Sequence, residues 1–430
     1  MTLQTEKGKS RRDAYAVLRI GEFRSFLLAR FFLTVAIQMQ SVIVGWQIYE
    51  ITKDAFSLGL IGIAEAIPFL SIALLGGHVA DIFNRKKIIL ISVIAYLLGA
   101  TALFLITFKF SYCLALYGAV PIYAIIFATG FARGFIFPAQ TAFMAQIVPR
   151  ELYGNSSTWN STVWHIAAMS GPAIGGLIYG FVNINAAYLT VVGFVLLSIV
   201  MYLGIKSRPV TPKEKKESLF QSLSTGVRFV FKNQIILGAL ALDMFAVLFG
   251  GAVILLPVFA GEVLKVGPEG LGFLRAAPAT GAICMALFLA YNPPLKKAGR
   301  NLFIGVFGFG ACIILFALST NFYLSLILLM MSGMFDNISV IIRATIIQLL
   351  TPDNMRGRVA SVNSIFIGSS NEIGSFESGL AARIMGLIPS VIFGGGMTLM
   401  IAGVTAKVSP ILRRLNLVKY LSEVPETKQG

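Results

Sequence analysis

The sequence predicts an all-α protein that crosses a membrane twelve times, in two similar six-helix halves. Three observations carry this expectation. Of 430 residues, 57% are hydrophobic and only 13% are charged, whereas about a quarter of a soluble domain is charged. Apolar runs long enough for a bilayer, about 20 residues each, recur along the whole chain. Two stretches 203 positions apart also resemble each other. A soluble chain could not hide this much apolar side chain, because its surface must be polar. The composition therefore excludes a soluble enzyme, a disordered protein and a secreted disulfide scaffold.

The runs fall at 26–50, 58–80, 88–108, 121–145, 156–182, 186–205, 234–260, 270–291, 302–320, 322–350, 359–385 and 388–411. They divide the chain into a cytoplasmic segment (1–25), a first bundle (26–205), a linker (206–233), a second bundle (234–411) and a tail (412–430). Cys113 to Val120 reads as a separate short segment before Pro121. The linker opens with Pro209, Pro212 and the run KEKKE. Leu219, Leu223, Val227 and Val230 then recur at helical spacing, which predicts an amphipathic helix on the inner membrane face.

Charge placement sets the orientation. With the N-terminus in the cytoplasm, cytoplasmic segments hold 26 of the 35 Lys and Arg. The outer loops hold three, Lys53, Lys109 and Lys265, and six fall within spans. This is a positive-inside pattern with both termini cytoplasmic. It accounts for the net charge of +16 without a nucleic-acid partner. The first apolar run is expected to remain as a span, since it lacks the features of a cleavable signal. Cys113, Cys284 and Cys312 are scattered in apolar runs and read as small buried hydrophobes. Their spacing fits no disulfide or metal site. No metal or cofactor is expected, and a proton gradient is the expected energy source.

The internal repeat aligns span 4 and its following loop with span 10 and its loop. Gly130 pairs with Gly333, Pro149 with Pro352, Asn160 with Asn363 and Ser161 with Ser364. Duplicated six-helix halves are a transporter architecture, with a site near the midplane. The same offset pairs Arg133 with Asp336 and Gln140 with Arg343. Residues seven apart lie two turns along one helix face, so each span carries a polar stripe.

An ionisable group at mid-depth costs about 2.5–3.5 kcal/mol on the insertion scale, so retained ones need a reason. Counting along the spans puts Arg133, Asp243, Asp336 and Glu372 near mid-depth. Glu65, Arg275 and Glu377 fall nearer the outside. Arg30, Arg343 and Lys407 fall nearer the cytoplasm, where long side chains can snorkel. Arg383 reads as a rim charge. Arg133 is open to two readings, a structural helix pair or a functional group. Shielded carboxyls are the chemistry a proton-coupled carrier needs. Thr34, Gln38, Ser41 and Gly45 share one face of span 1 with Arg30 and predict a cavity or helix contact. His165 on span 5 reads as a hydrogen-bonded packing residue.

After span 2 the chain reads GGHVADIFNRKK. Gly77, Asp81, Arg85, Lys86 and Lys87 match a signature of the major facilitator superfamily, which this segment resembles. Ile82 replaces the usual basic residue, and Asn84 replaces a turn glycine, which Asn can do by reaching positive φ. The resemblance implies a conformational latch for the outward-facing state. The corresponding segment NPPLKKAGRN in the second half lacks the aspartate, so the latch looks one-sided. SGPAIGG, with Gly171, Pro172, Gly175 and Gly176, is similar to the helix-5 motif of antiporter-type members. Glycines there allow close helix approach and the proline permits a bend. Thr158 and Ala167 stand where that motif has further glycines. Arg133 resembles the helix-4 arginine used in proton coupling. PDNMRGRVASVN (Pro352 to Asn363) and FRSFLLARFF resemble a sub-group of enterobactin-type siderophore exporters and macrolide efflux proteins.

These features predict a secondary transporter, not an enzyme. It is expected to act as a proton-coupled exporter of an amphipathic small molecule, siderophore-like or drug-like, by alternating access. Spans 1, 4, 7 and 10 would line the cavity, and Arg30, Gln38, Arg133, Asp243, Asp336 and Arg343, with Glu372, would handle substrate or protons. An importer or lysolipid flippase on the same scaffold is the alternative. A membrane-embedded enzyme or sensor is more remote, because no metal cluster, nucleophile elbow or phosphate loop is present. The chain is expected to be a monomer in the bilayer, with a bacterial inner membrane as its location.

Overall fold

The computed structural model describes residues 15–208, 219–352 and 355–418. The KEKKE run, residues 1–14 and residues 419–430 lie outside the described residues. All regular structure within them is helical. The first half holds α1 (Gly21–Thr52), α2 (Ala55–Ile82), α3 (Arg85–Phe108), a short α4 (Ser111–Tyr117), α5 (Val120–Ile147), α6 (Tyr153–Phe181) and α7 (Ile184–Leu203). A linking α8 (Leu219–Lys232) follows. The second half holds α9 (Gln234–Gly250), α10 (Leu256–Val258), α11 (Gly267–Tyr291), α12 (Ala298–Leu318), α13 (Phe322–Leu350), α14 (Arg356–Met385) and α15 (Leu387–Val408). A terminal turn, α16 (Pro410–Arg413), closes it.

Local chemistry sets the helix ends. Asp54, Asn183 and Asn321 accept hydrogen bonds from backbone N–H groups of the helices they precede, as N-cap side chains do. Asn84 does the same for α3, accepting from the Lys87 N–H at φ −61°. It replaces the signature glycine as a cap, not through positive φ as the sequence suggested. Span 7 is broken. After Gly250 the chain passes through a 3-10 turn (Ala252–Leu255), α10 and a π turn (Phe259–Val263). Pro257 contributes by withholding a backbone donor.

Among the described residues, ten helices are long and apolar enough to cross a membrane. The two remaining long helices, α6 and α14, have 29 and 30 residues but carry many Ser, Thr and Asn. Leu98, Ile91, Leu196 and Val200 are exposed, as lipid-facing side chains are.

The repeat holds in three dimensions. α6 and α14 start 203 positions apart, as do α7 and α15, and α5 and α13 end 203 apart. Gly130 on α5 sits against the Pro68 ring on α2, and Gly333 on α13 against Pro278 on α11. A side chain at either glycine would meet proline atoms at 2.0–2.6 Å, so each half needs glycine where its fourth span crosses its second.

The halves meet along two glycine seams. Gly59 on α2 packs on Gly379 of α14, and Gly62 on Glu372 and Ser375. Gly176 on α6 packs on Pro268 and Gly272 of α11. Phe56 pairs with the Phe376 ring at 6.0 Å, and the Arg383 guanidinium lies 4.8 Å from the Phe56 ring centroid. Tyr49 donates to Glu262 at 3.3 Å. All of these lie toward the end away from the described termini, called distal below. Arg383 is thus a contact between halves and not a simple rim charge.

Candidate functional site

Among the described residues, three polar clusters inside this apolar scaffold hold most of the charges singled out in the sequence. On the distal side of the first half, Arg133 of α5 pairs with Glu65 of α2 at 2.5 Å, with side chains 30% and 23% exposed. They line a cavity of about 50 Å³ with Gln38, Gln40 and Ser41 of α1, Tyr96 of α3 and Thr129 of α5. That is room for a few waters. The second half adds charge from across the interface. Arg275 of α11 donates to the Ser41 hydroxyl at 2.8 Å. Glu372 of α14 is close enough to interact electrostatically with both Glu65 and Arg133.

The second cluster lies within the second half. Arg343 of α13 forms an ion pair with Asp243 of α9, and both side chains are 6% exposed. Asp336, two turns before Arg343, shares a smaller cavity with Asp243, Phe309 and Ser339. Buried ions need partners, and Asp243 and Arg343 supply one another.

The third cluster is its counterpart in the first half. Gln140 donates to the Tyr202 hydroxyl at 2.8 Å, and Arg30 lies near Tyr202. Arg30 is 6% exposed, and its Nε–H has no partner.

The structure therefore brings Gln38, Arg133 and Glu372 toward one interface, and Asp243, Asp336 and Arg343 into another cluster. Arg30 stands apart from both. Several expectations are corrected. Arg30 and Arg343 do not snorkel; both are buried, because each has a tyrosine or carboxylate within the bundle to face. His165 is not hydrogen-bonded at Nδ1, which is buried without a partner, and its ring packs edge-on against Trp164. Of the cysteines only Cys312 is buried; Cys284 is exposed and Cys113 intermediate, since lipid-facing positions also accept small apolar groups.

Gly77 and Asp81 lie in a stretch of α2 whose side chains are outside the described residues. Arg85 donates to the Ala142 carbonyl at 3.3 Å. Lys86 donates to the carbonyls of Leu203 and Ile205, so these bonds tie α3 to α5 and to the end of α7 within one half. Gly171 packs on Val35 and Gln38 of α1, and Gly175 on Met39. Pro172 lies inside α6.

Sequence reasoning left Glu65 and Arg275 outside the site. Their signal was a single charge in an otherwise apolar span. What it lacked was the packing of α2 on α5 and of α11 on α1.

Two helical halves around buried charged pairs, with lipid-facing apolar flanks, define a multi-pass membrane transporter. The chain belongs to the Major Facilitator Superfamily, which residues 26–375 match. Curated relatives include the enterobactin exporter EntS of Shigella dysenteriae serotype 1 (strain Sd197) and that of Escherichia coli O1:K1 / APEC. Each is 24% identical over 383 residues, covering 89% of this chain and 90% of the relative. Similar solved structures include a POT family transporter in complex with a thioalcohol-conjugated peptide, at TM-score 0.72 and 12% identity over 91% of this chain and 96% of that one. A bacterial homologue of the human lysosomal transporter Spinster, inward-facing and unoccupied, gives TM-score 0.67 and 14% identity over 94% and 98%. At these identities the structures speak for the fold alone.

Proposed function

We propose that this transporter exports an amphipathic small molecule bearing anionic groups, driven by protons. The observation that carries the reading is the set of charged groups at the junction of the halves, Glu65, Arg133, Arg275 and Glu372, beside a polar cavity. A lipid-buried scaffold tolerates such groups where they serve substrate or ion. The separate Asp243–Arg343 pair with Asp336 supports a coupling role, because carboxylates that exchange partners can gain and lose protons between states.

The closed distal seams support a state open toward the end that bears the termini. On that end of α6, Ser157, Thr158, Ser161 and Thr162 are exposed, and such a face suits water better than acyl chains. With both termini cytoplasmic, substrate would enter from the cytoplasm. The EntS relatives, named as enterobactin exporters, support the export direction and a catecholate-like substrate.

The test uses inverted vesicles and right-side-out cells. An imposed pH gradient is expected to drive accumulation of a fluorescent dye or catecholate siderophore in inverted vesicles, and Asp243→Asn or Asp336→Asn to abolish it. If neither gradient nor variant changes movement, proton-driven export is wrong. Uptake into whole cells instead would favour an importer, and movement of lysolipid a flippase.

A further inference from the structure

We propose that Arg275 and Arg133, one from each half, form a two-guanidinium subsite for the anionic oxygen group of the ligand, with Glu65 holding that position as an internal competitor. The inference rests on the transporter reading and deepens it by naming the ligand's recognised group and the residue that sets specificity.

Arg133 is held by Glu65 at 2.5 Å. Arg275 reaches across the interface to Ser41 at 2.8 Å, and it also interacts electrostatically with Glu65. Glu65 thus pairs with the α5 guanidinium and lies within electrostatic range of the Arg275 guanidinium on α11, the Glu372 carboxylate on α14 and Tyr96 on α3. Ser41, Glu65, Arg133 and Tyr96 all line the one cavity.

Two features point to a ligand and not to a purely structural bridge. First, the Arg275 Nε–H is buried and has no hydrogen-bond partner. A buried donor left unmade is costly, and guanidinium answers it best with a planar anion such as carboxylate, which it binds bidentately. Second, Arg275 has a neutral hydroxyl as its hydrogen-bond partner, so its charge is not consumed by a bonded carboxylate. A structural bridge would pair it directly, as Arg343 is paired with Asp243.

The position also matters. Arg275 belongs to the second half while Ser41, Glu65 and Arg133 belong to the first. An anion held by both arginines ties the halves at the distal side, so ligand binding and the distal closure strengthen one another.

The two arginines and Glu65 make opposite predictions. The purified full chain is titrated with benzoate, and with neutral benzamide of nearly the same shape, by isothermal calorimetry in nanodiscs. Wild type is expected to bind benzoate at least about tenfold more tightly than benzamide, in keeping with a charge-assisted hydrogen bond. Arg275→Gln is expected to erase that preference. Glu65→Gln, which removes the competitor, is expected to tighten benzoate about fivefold or more. General damage would weaken both variants, so the opposite signs are diagnostic. Should Arg275→Gln fail to fold, Arg275→Lys, which keeps charge and loses the bidentate face, takes its place with the Glu65→Gln gain. Equal binding of benzoate and benzamide to wild type overturns the subsite, as does weaker benzoate binding in Glu65→Gln. Equal binding of benzoate and benzamide to wild type with vesicle transport intact would overturn only the subsite. Intact anion preference without transport would overturn only the transport reading.

Discussion

Gly62→Ala offers a direct test of what holds the distal end closed. A Cβ at Gly62 would stand 2.6 Å from the Glu372 carbonyl oxygen and 2.8 Å from the Ser375 Cβ. The first of these is backbone, so α2 and α14 must part. Overpacking of this kind costs about 1–3 kcal/mol. Alanine also gains about 0.5–1 kcal/mol over glycine in a helix, but α2 is helical whether or not the seam is closed, so that gain cancels between states. The steric cost alone then shifts the balance toward a distal-open state by about 5- to 150-fold. Spin labels at the exposed residues Ile51 and Ile384, in a background lacking the three cysteines, report the separation of the distal ends by pulsed electron resonance. A longer-distance population is expected to grow in Gly62→Ala. Gly396→Ala is the control, because a Cβ there meets nothing within 4 Å. An unchanged distance distribution in a folded Gly62→Ala protein would refute the seam argument, and so would equal widening in the control.

Other substitutions separate pairing from chemistry. Arg343→Leu leaves Asp243 buried without its partner and is expected to cost about 3–5 kcal/mol, read as a lowered melting temperature; Asp243→Leu with Arg343→Leu is expected to recover most of that stability without transport. Gly333→Ala forces a Cβ into the Pro278 backbone within one half, so thermal stability should fall with no selective opening of the distal end. Removing charge from the exposed α8 residues Arg228 and Lys232 is expected to weaken association with anionic lipid by about 1 kcal/mol per residue, measured by comparing melting in anionic and zwitterionic nanodiscs; no difference would detach α8 from the lipid surface.

The fold was legible because its signals are local and repeated. Apolar length gave the spans, and Gly130 and Gly333 gave the repeat because each must admit a proline-bearing helix. The short segment after Lys109 and the helix at Leu219 were legible for the same local reasons. The site was legible only in part. Arg133, Asp243, Asp336, Arg343 and Glu372 stand out as charges in apolar runs, but sequence spacing says nothing about which helices touch. Hence the Asp243–Arg343 pair was not foreseen, Arg30 and Arg343 were counted among the cavity groups but placed near enough to the cytoplasm to snorkel, and Arg275 was left aside although it crosses between halves. α6 and α14 match the runs read at 156–182 and 359–385, although their Ser, Thr and Asn residues belong to a face that a purely lipid-buried helix would not carry.

Gly59 meets Gly379 where Gly272 meets Gly176, and Gly176 and Gly379 are again 203 positions apart. These are the mutual contacts that a two-fold dimer of half-length chains would make, one surface used twice. Joining the copies into one polypeptide lifts the demand that both carry identical side chains. The chain has kept the duplicated joints and let the charges diverge: arginine at position 133 against aspartate at 336, glutamine at 140 against arginine at 343. Mechanical symmetry and electrical asymmetry thus coexist in one chain, and a polar cargo can meet unlike walls while the hinges on either side bend alike.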